Sequence, residues 1–277
     1  MRNIIIIVIL AVFSSFSLYG CSLLEKNDQS NSENNEKNNK LNKYEKENYV
    51  SIQEYTGEGF TLRNANKKID DIVQESREDI VTAVELFFEN QYNTQIKVHN
   101  IVSAIDGASV FVESIGEPHF YTFAIVPIDV KNNIIHISNV RSEEGQVENA
   151  IQGGLYAMAY EKEFKNLDNI LENIAEEHPV TGTPFKVIER VKGNGYTTPY
   201  YFISTLGDVF DDLFEQYMEN PNMTKKELNN YFTENEFDPD RLSFGIEFYM
   251  EDQKQKPNEE VYDAIFKTIA EAPNIPK

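Results

Sequence analysis

Apolar residues recur every three or four positions at Ile69, Ile72, Val73, Ile80, Val81, Val84, Phe87 and Phe88, a spacing that predicts one amphipathic helix over 67–91. The period then changes. Segments 96–105, 108–115, 120–128 and 134–140 are β-branched or aromatic and bounded by turn-forming residues, so each reads as a strand. Asp106-Gly107 predicts a hairpin turn between the first two, with the glycine in positive φ. One helix on an antiparallel meander is the expectation for this half.

The second half opens with helical patterns at 147–164 and 167–177, the latter stopped by Pro179. Gly153-Gly154 marks either a close-packing contact or a weak point in the first of them. Segments 185–191 and 200–204 read as a strand pair around Gly193-Asn194-Gly195, and 206–218 as a helix. A helix at 225–233 has Thr224 as N-cap and Glu227 closing a capping box. A strand at 244–250 and a last helix at 257–270, with Pro257 in its opening turn, complete the pattern. The fold class is therefore α+β, antiparallel sheets with packed amphipathic helices. No fixed-period repeat is present, and 179–184 is the best candidate for a subdomain boundary.

Upstream of residue 49 the pattern is of another kind. Arg2 and the amino terminus precede an apolar run from Ile4 to Phe13, and Ser14 to Gly20 lead into Cys21, the single cysteine of the 277 residues. The run is shorter than the roughly 20 residues of a membrane span. Leu18-Tyr19-Gly20-Cys21 has the form of a lipobox, so residues 1–20 read as a lipoprotein signal peptide and Cys21 as the residue that receives a diacylglyceryl group. An ordinary secretory signal that leaves Cys21 as a free thiol, or an uncleaved anchor, are the alternatives. Two acyl chains anchor stably because each buried methylene contributes about 0.8 kcal/mol.

Residues 22–48 are dominated by Asn, Lys, Glu and Ser, with too few apolar residues to offset chain entropy. They read as a tether with a reach of about 30 Å. The expected location is the extracellular face of the cell membrane, with the anchor as the membrane contact and an extracytoplasmic domain over 49–277.

Charge narrows the partners. The chain carries 46 acidic and 25 basic residues, a net of −21. The tether's six acids and five lysines nearly cancel, which leaves the acidity to the patterned domain. Nucleic acid is excluded as a partner, because its binding depends on phosphate neutralisation by Lys and Arg. Without a second cysteine no internal disulfide can brace the domain, so a packed core must hold it.

The opening of the patterned domain, Tyr49-Val50-Ser51-Ile52-Gln53-Glu54-Tyr55-Thr56-Gly57-Glu58-Gly59-Phe60, follows a lipobox and an Asn/Lys-rich tether. In this the chain resembles a family of uncharacterised lipoproteins from low-G+C Gram-positive bacteria, over most of 49–277. The resemblance implies a location and a class; it carries no reaction, ligand or cofactor to transfer.

Candidate chemistry is sparse. There is no Gly-x-Ser-x-Gly elbow, no His-Glu-x-x-His and no phosphate loop. Of the four histidines, His99 and His136 lie in predicted strands at no metal-ligand spacing, and His178 follows a helix. His119 could pair with Glu117 as an acid/base couple, against its reading as a turn residue. Asp208, Asp211, Asp212 and Glu215 follow helical spacing and are candidates for a cation site, but with Phe210, Leu213 and Phe214 supplying the apolar side a solvated acidic face is the preferred reading. Asp238-Pro239-Asp240-Arg241 begins like a calcium loop, but Ser243 and Tyr249 replace the required Gly and bidentate acid, so that motif is rejected. Tyr196, Tyr200 and Tyr201 are candidates to line a ligand groove, or else pack across strands. The reading is an envelope binding or interaction module, with a protein or wall component as partner. A carboxylate-based cell-wall or peptide hydrolase and a transporter's solute receptor are the alternatives, the first set back by the missing nucleophile motif, the second by the lack of two-lobed α/β alternation. No cofactor is expected.

Overall fold

A computed structural model of the chain describes residues 6–10, 50–62 and 65–276. Cys21 and the tether lie outside them. The backbone of Ile6–Leu10, within the predicted signal peptide, forms strand β1.

The predicted helix over 67–91 is two helices. Asn66 caps α1 (Lys67–Glu75) by accepting the Lys68 N–H at 3.1 Å, Ser76 interrupts the helical backbone, and α2 (Arg77–Tyr92) ends at Asn93 with φ 51°. Ser76 is a weak helix former, so the break falls where helix propensity is low. The meander follows as β2 (Ile96–Ser103), β3 (Gly107–Ser114), β4 (Tyr121–Asp129) and β5 (Ile134–Ile135), paired antiparallel in that order. The fourth strand is much shorter than 134–140, since a 3-10 turn over Ile137–Asn139 takes its second half. The hairpin turn lies where Asp106-Gly107 places it, but for a different reason. Gly107 is not in positive φ; a Cβ there would stand 2.6 Å from the Val126 carbonyl oxygen, so the residue is small because β4 passes against it.

In the second half α3 (Gln146–Ala159) and α4 (Glu161–Glu177) meet at Tyr160. Gly154 provides close packing: a Cβ would lie 2.8 Å from the His119 carbonyl oxygen, which lets α3 lie against the loop that carries His119. Segment 179–184 forms strand β6 (Val180–Thr181) and the approach to the next helix. That helix is a correction, because 185–191 is not a strand but α5 (Phe185–Val191). Its β-branched content suggests a strand, yet Val187, Ile188 and Val191 share a helical face, and Val187 and Ile188 are buried. The strand pair expected here therefore does not form. β7 (Tyr201–Thr205) pairs instead with β8 (Leu242–Met250), which also receives β6 antiparallel and β1 parallel.

α6 (Asp211–Glu219) starts five residues later than the 206–218 pattern implies. α7 (Lys225–Glu234) has the expected capping box: Thr224 Oγ1 accepts the Glu227 N–H at 3.3 Å and Glu227 Oε2 accepts the Thr224 N–H at 2.7 Å. α8 (Glu259–Glu271) is capped by Asn258, with Pro257 ahead of the cap instead of inside the first turn. The two sheets and eight α-helices among the described residues make the α+β class, and one continuous buried cluster runs from Ile69 to Ile269. None of those helices is long and apolar enough to cross a membrane.

Candidate functional site

The β2–β5 sheet has a core face and an outer face. Val110, Val112, Ala124 and Val126 are fully buried on the first. The register places Phe111 opposite both Asn100 and Phe123, and Glu113 opposite Tyr121, on the second. A β-bulge between Val98 and Asn100 inserts His99 as an extra residue, so His99 and Asn100 both project toward the outer face. Strict alternation along 96–105 hides this, because the bulge shifts the side-chain phase by one position.

Glu113 is the hub of that face. Its Oε2 accepts from His99 Nε2 at 2.7 Å, and its Oε1 accepts from His119 Nε2 at 3.0 Å and from the Tyr121 hydroxyl at 3.2 Å. The His99 side chain is only 7% exposed, against 34% for His119 and 22% for Glu113. Burial acts to raise the Glu113 pKa, but the hydrogen bonds and charges of His119 and His99 outweigh it and hold the carboxyl below its ordinary range. Burial and the Glu113 charge push the Tyr121 hydroxyl well above the usual phenol range, so it remains a donor. His119 is set in place by Ser114, whose hydroxyl donates to the Pro118 carbonyl at 2.9 Å and accepts the Phe120 N–H at 2.9 Å. His119 thus pairs with Glu113 and not with the neighbouring Glu117.

α5 covers the remainder of this face and supplies two more charged groups. Glu189 reaches His99 and Glu113, one ligand atom from each of the three lying within 4.8 Å of the others. Arg190 turns the other way, donating to the Thr56 carbonyl at 3.1 Å and pairing with Glu58 at 3.2 Å, while Asn100 Nδ2 donates to the Arg190 carbonyl at 3.0 Å. Gly57, with φ 75°, makes this approach possible, since a Cβ there would stand 2.9 Å from Arg190 Cβ and Cδ. The turn Gly57-Glu58-Gly59 and Phe60, which packs edge-on to Phe111 at 5.8 Å, then wall a cleft of about 310 Å³. Asp70, the segment 99–103 and Arg190 complete its lining.

The other sequence candidates go to separate places. Asp208 lies ahead of α6 and pairs with Arg241, Asp211 accepts from Gln152 Nε2 at 3.3 Å, Asp212 accepts from the Tyr231 hydroxyl at 2.6 Å, and Glu215 is exposed. These acids serve different partners. Tyr201 is 2% exposed and stacked on Phe164, Tyr200 packs on Phe248 at 5.3 Å, and Tyr196 is partly buried against the core, where desolvation and the nearby Asp168 push its pKa up to about 12. His136 caps the 3-10 turn and is exposed, and His178 caps α4. A larger groove of about 550 Å³ lies between α6 and α7, lined by polar helix surface such as Gln216, Asn220 and Asn230, and none of the histidines reaches it.

Sequence reasoning missed Glu113, Glu189 and Arg190. Glu113 was open to notice as the one charge in the strand Val110-Phe111-Val112-Glu113, whereas Glu189 and Arg190 were hidden by the strand reading of 185–191. The Gly57–Phe60 run, noted only for the resemblance it carries, proves to be a wall of the cleft.

Comparison with known proteins bears on the fold and the family. A crystal structure of a DUF1672 family protein from Staphylococcus aureus superposes with a TM-score of 0.66 at 17% sequence identity, over 82% of this chain and 85% of that one. At that identity the likeness speaks for the fold alone. No curated protein matches the chain. The profile of the family described as protein of unknown function (DUF1672) matches residues 42–277, through the cleft, strands β2 to β8 and every helix described above, and the chain belongs to that family.

Proposed function

We propose that the chain is a lipid-anchored extracytoplasmic binding domain, tethered through a diacylglyceryl group on Cys21, which takes an envelope protein or a wall component in the cleft beside His99 and Arg190. The observation that carries the binding role is that cleft. It is built from four separate stretches of chain, residues 57–61, α1 through Asp70, β2 and α5, and among the described residues the guanidinium at its side holds Thr56 and Glu58 through Nη1. Arginine has five N–H donors, so Nε and Nη2 remain for a carbonyl or anionic group of a ligand. The solitary Cys21 behind the apolar run supports the anchor.

A photoreactive side chain placed at Thr61 of the membrane-bound protein is expected to trap one discrete envelope component. Arg190→Ala should lower the yield about tenfold, the worth of one charge-assisted hydrogen bond. An unchanged yield in that variant would contradict the cleft as the site. Glu113 with its two histidines keeps one other reading in view, a carboxylate hydrolase; Glu113-dependent turnover of wall or peptide substrates by the same protein would favour it.

A further inference from the structure

We propose that His99, Glu113 and Glu189 bind one divalent transition-metal ion of the zinc class, which pins α5 to the outer face of the meander sheet. The site shares His99 with the wall of the cleft and does not depend on what the cleft takes. An imidazole nitrogen with two carboxylate oxygens is a donor set that zinc accepts, and it leaves a fourth position for water. Among the described residues this is the only group of three such side chains whose ligand atoms converge. They come from a bulge in β2, the end of β3 and the last turn of α5, so the convergence is a property of the fold and not of one local turn.

Glu189 is the residue that most needs explaining. It is half-buried, it has no hydrogen-bond or ion-pair partner among the described residues, and its carboxylate lies close to that of Glu113. Two carboxylates at this separation repel, and a cation between them reverses the sign of the interaction. The second oxygen of Glu113 is already oriented by His119 and Tyr121, the kind of outer contact that fixes a metal ligand. His99 ligates through the Nε2 lone pair as a neutral imidazole, with its one ring proton on Nδ1. Entry of the ion parts His99 Nε2 and Glu113 Oε2 from 2.7 Å to the roughly 3.3 Å that two ligands keep on a tetrahedral zinc. The imidazole donor selects against magnesium and calcium, which take oxygen ligands.

The test is calorimetric titration of the full chain, stripped with a chelator, with zinc chloride and, separately, magnesium chloride at matched ionic strength. One saturable zinc site per chain is expected, with no saturable magnesium binding. Glu189→Gln should weaken zinc binding by about tenfold or more without lowering the metal-free unfolding midpoint, and His99→Gln should abolish it. Tyr121→Phe, which removes only an outer contact, should cost about tenfold. Absence of a saturable zinc isotherm in the wild-type chain would overturn the proposal, as would zinc binding undiminished in both Glu189→Gln and His99→Gln. Zinc uptake without any crosslinked component at Thr61 would separate this site from the cleft.

Discussion

Tyr156→Ala is expected to destabilise the domain by about 4 kcal/mol, the middle of the range for truncating a buried aromatic. The ring is fully buried and lies within aromatic contact distance of six others: Tyr160 at 4.8 Å, Phe232 at 5.2 Å, Phe164 at 6.0 Å, Phe244 at 6.1 Å, Phe210 at 6.2 Å and Phe237 at 6.3 Å. Those rings belong to α4, α7, β8 and the segments beside them, so the truncation opens a void where several elements meet, with few neighbours able to close it. In a domain of this size the loss corresponds to a fall of about 8–16 °C in Tm. Tyr156→Phe, which keeps the ring, should lose much less. Urea unfolding of the two variants separates ring from hydroxyl, and a change below about 1 kcal/mol in Tyr156→Ala would show that the cluster is not packed around this residue.

Glu113→Ala should cost about 1–3 kcal/mol at neutral pH, after discounting for the exposed part of the carboxylate. It removes the acceptor shared by His99, His119 and Tyr121, and the nearly buried His99 ring loses the partner of its Nε2. The pH dependence has a definite sign. The folded-state pKa of Glu113 is below the ordinary carboxylate value of 4.5, so its stabilisation is complete above that value and is lost as pH falls through the lowered folded value. The gap between wild type and Glu113→Ala should therefore narrow as pH falls below about 4.5. A gap that widens in acid would contradict the hub role.

Much of this architecture was legible in the pattern of apolar residues, because the meander strands, α7 with its capping box, and β8 each bury one periodic face. Elements failed where tertiary contacts override local preference. Residues 185–191 have the composition of a strand, but the outer face of the meander needs a cover, and a short helix lays Val187 and Ile188 on it. The site was less visible for the same reason. His99 is brought to Glu113 by a bulge that no periodicity announces, and Glu189 and Arg190 diverge from neighbouring positions of a helix the pattern did not reveal. Conversely, the helical spacing of Asp208, Asp211, Asp212 and Glu215 is real in the sequence, but the helix begins only at Asp211, which sets Asp208 outside it and against Arg241.

Anchoring through Cys21 is the claim on which the location and the role of the tether rest, and the intact mass of the mature, membrane-extracted protein tests it most directly. The expected species lacks residues 1–20 and carries the added mass of a diacylglyceryl group on Cys21, and Cys21→Ala should release the protein from the membrane or leave its precursor uncleaved. A membrane-bound mature protein with an unmodified Cys21 would contradict the account.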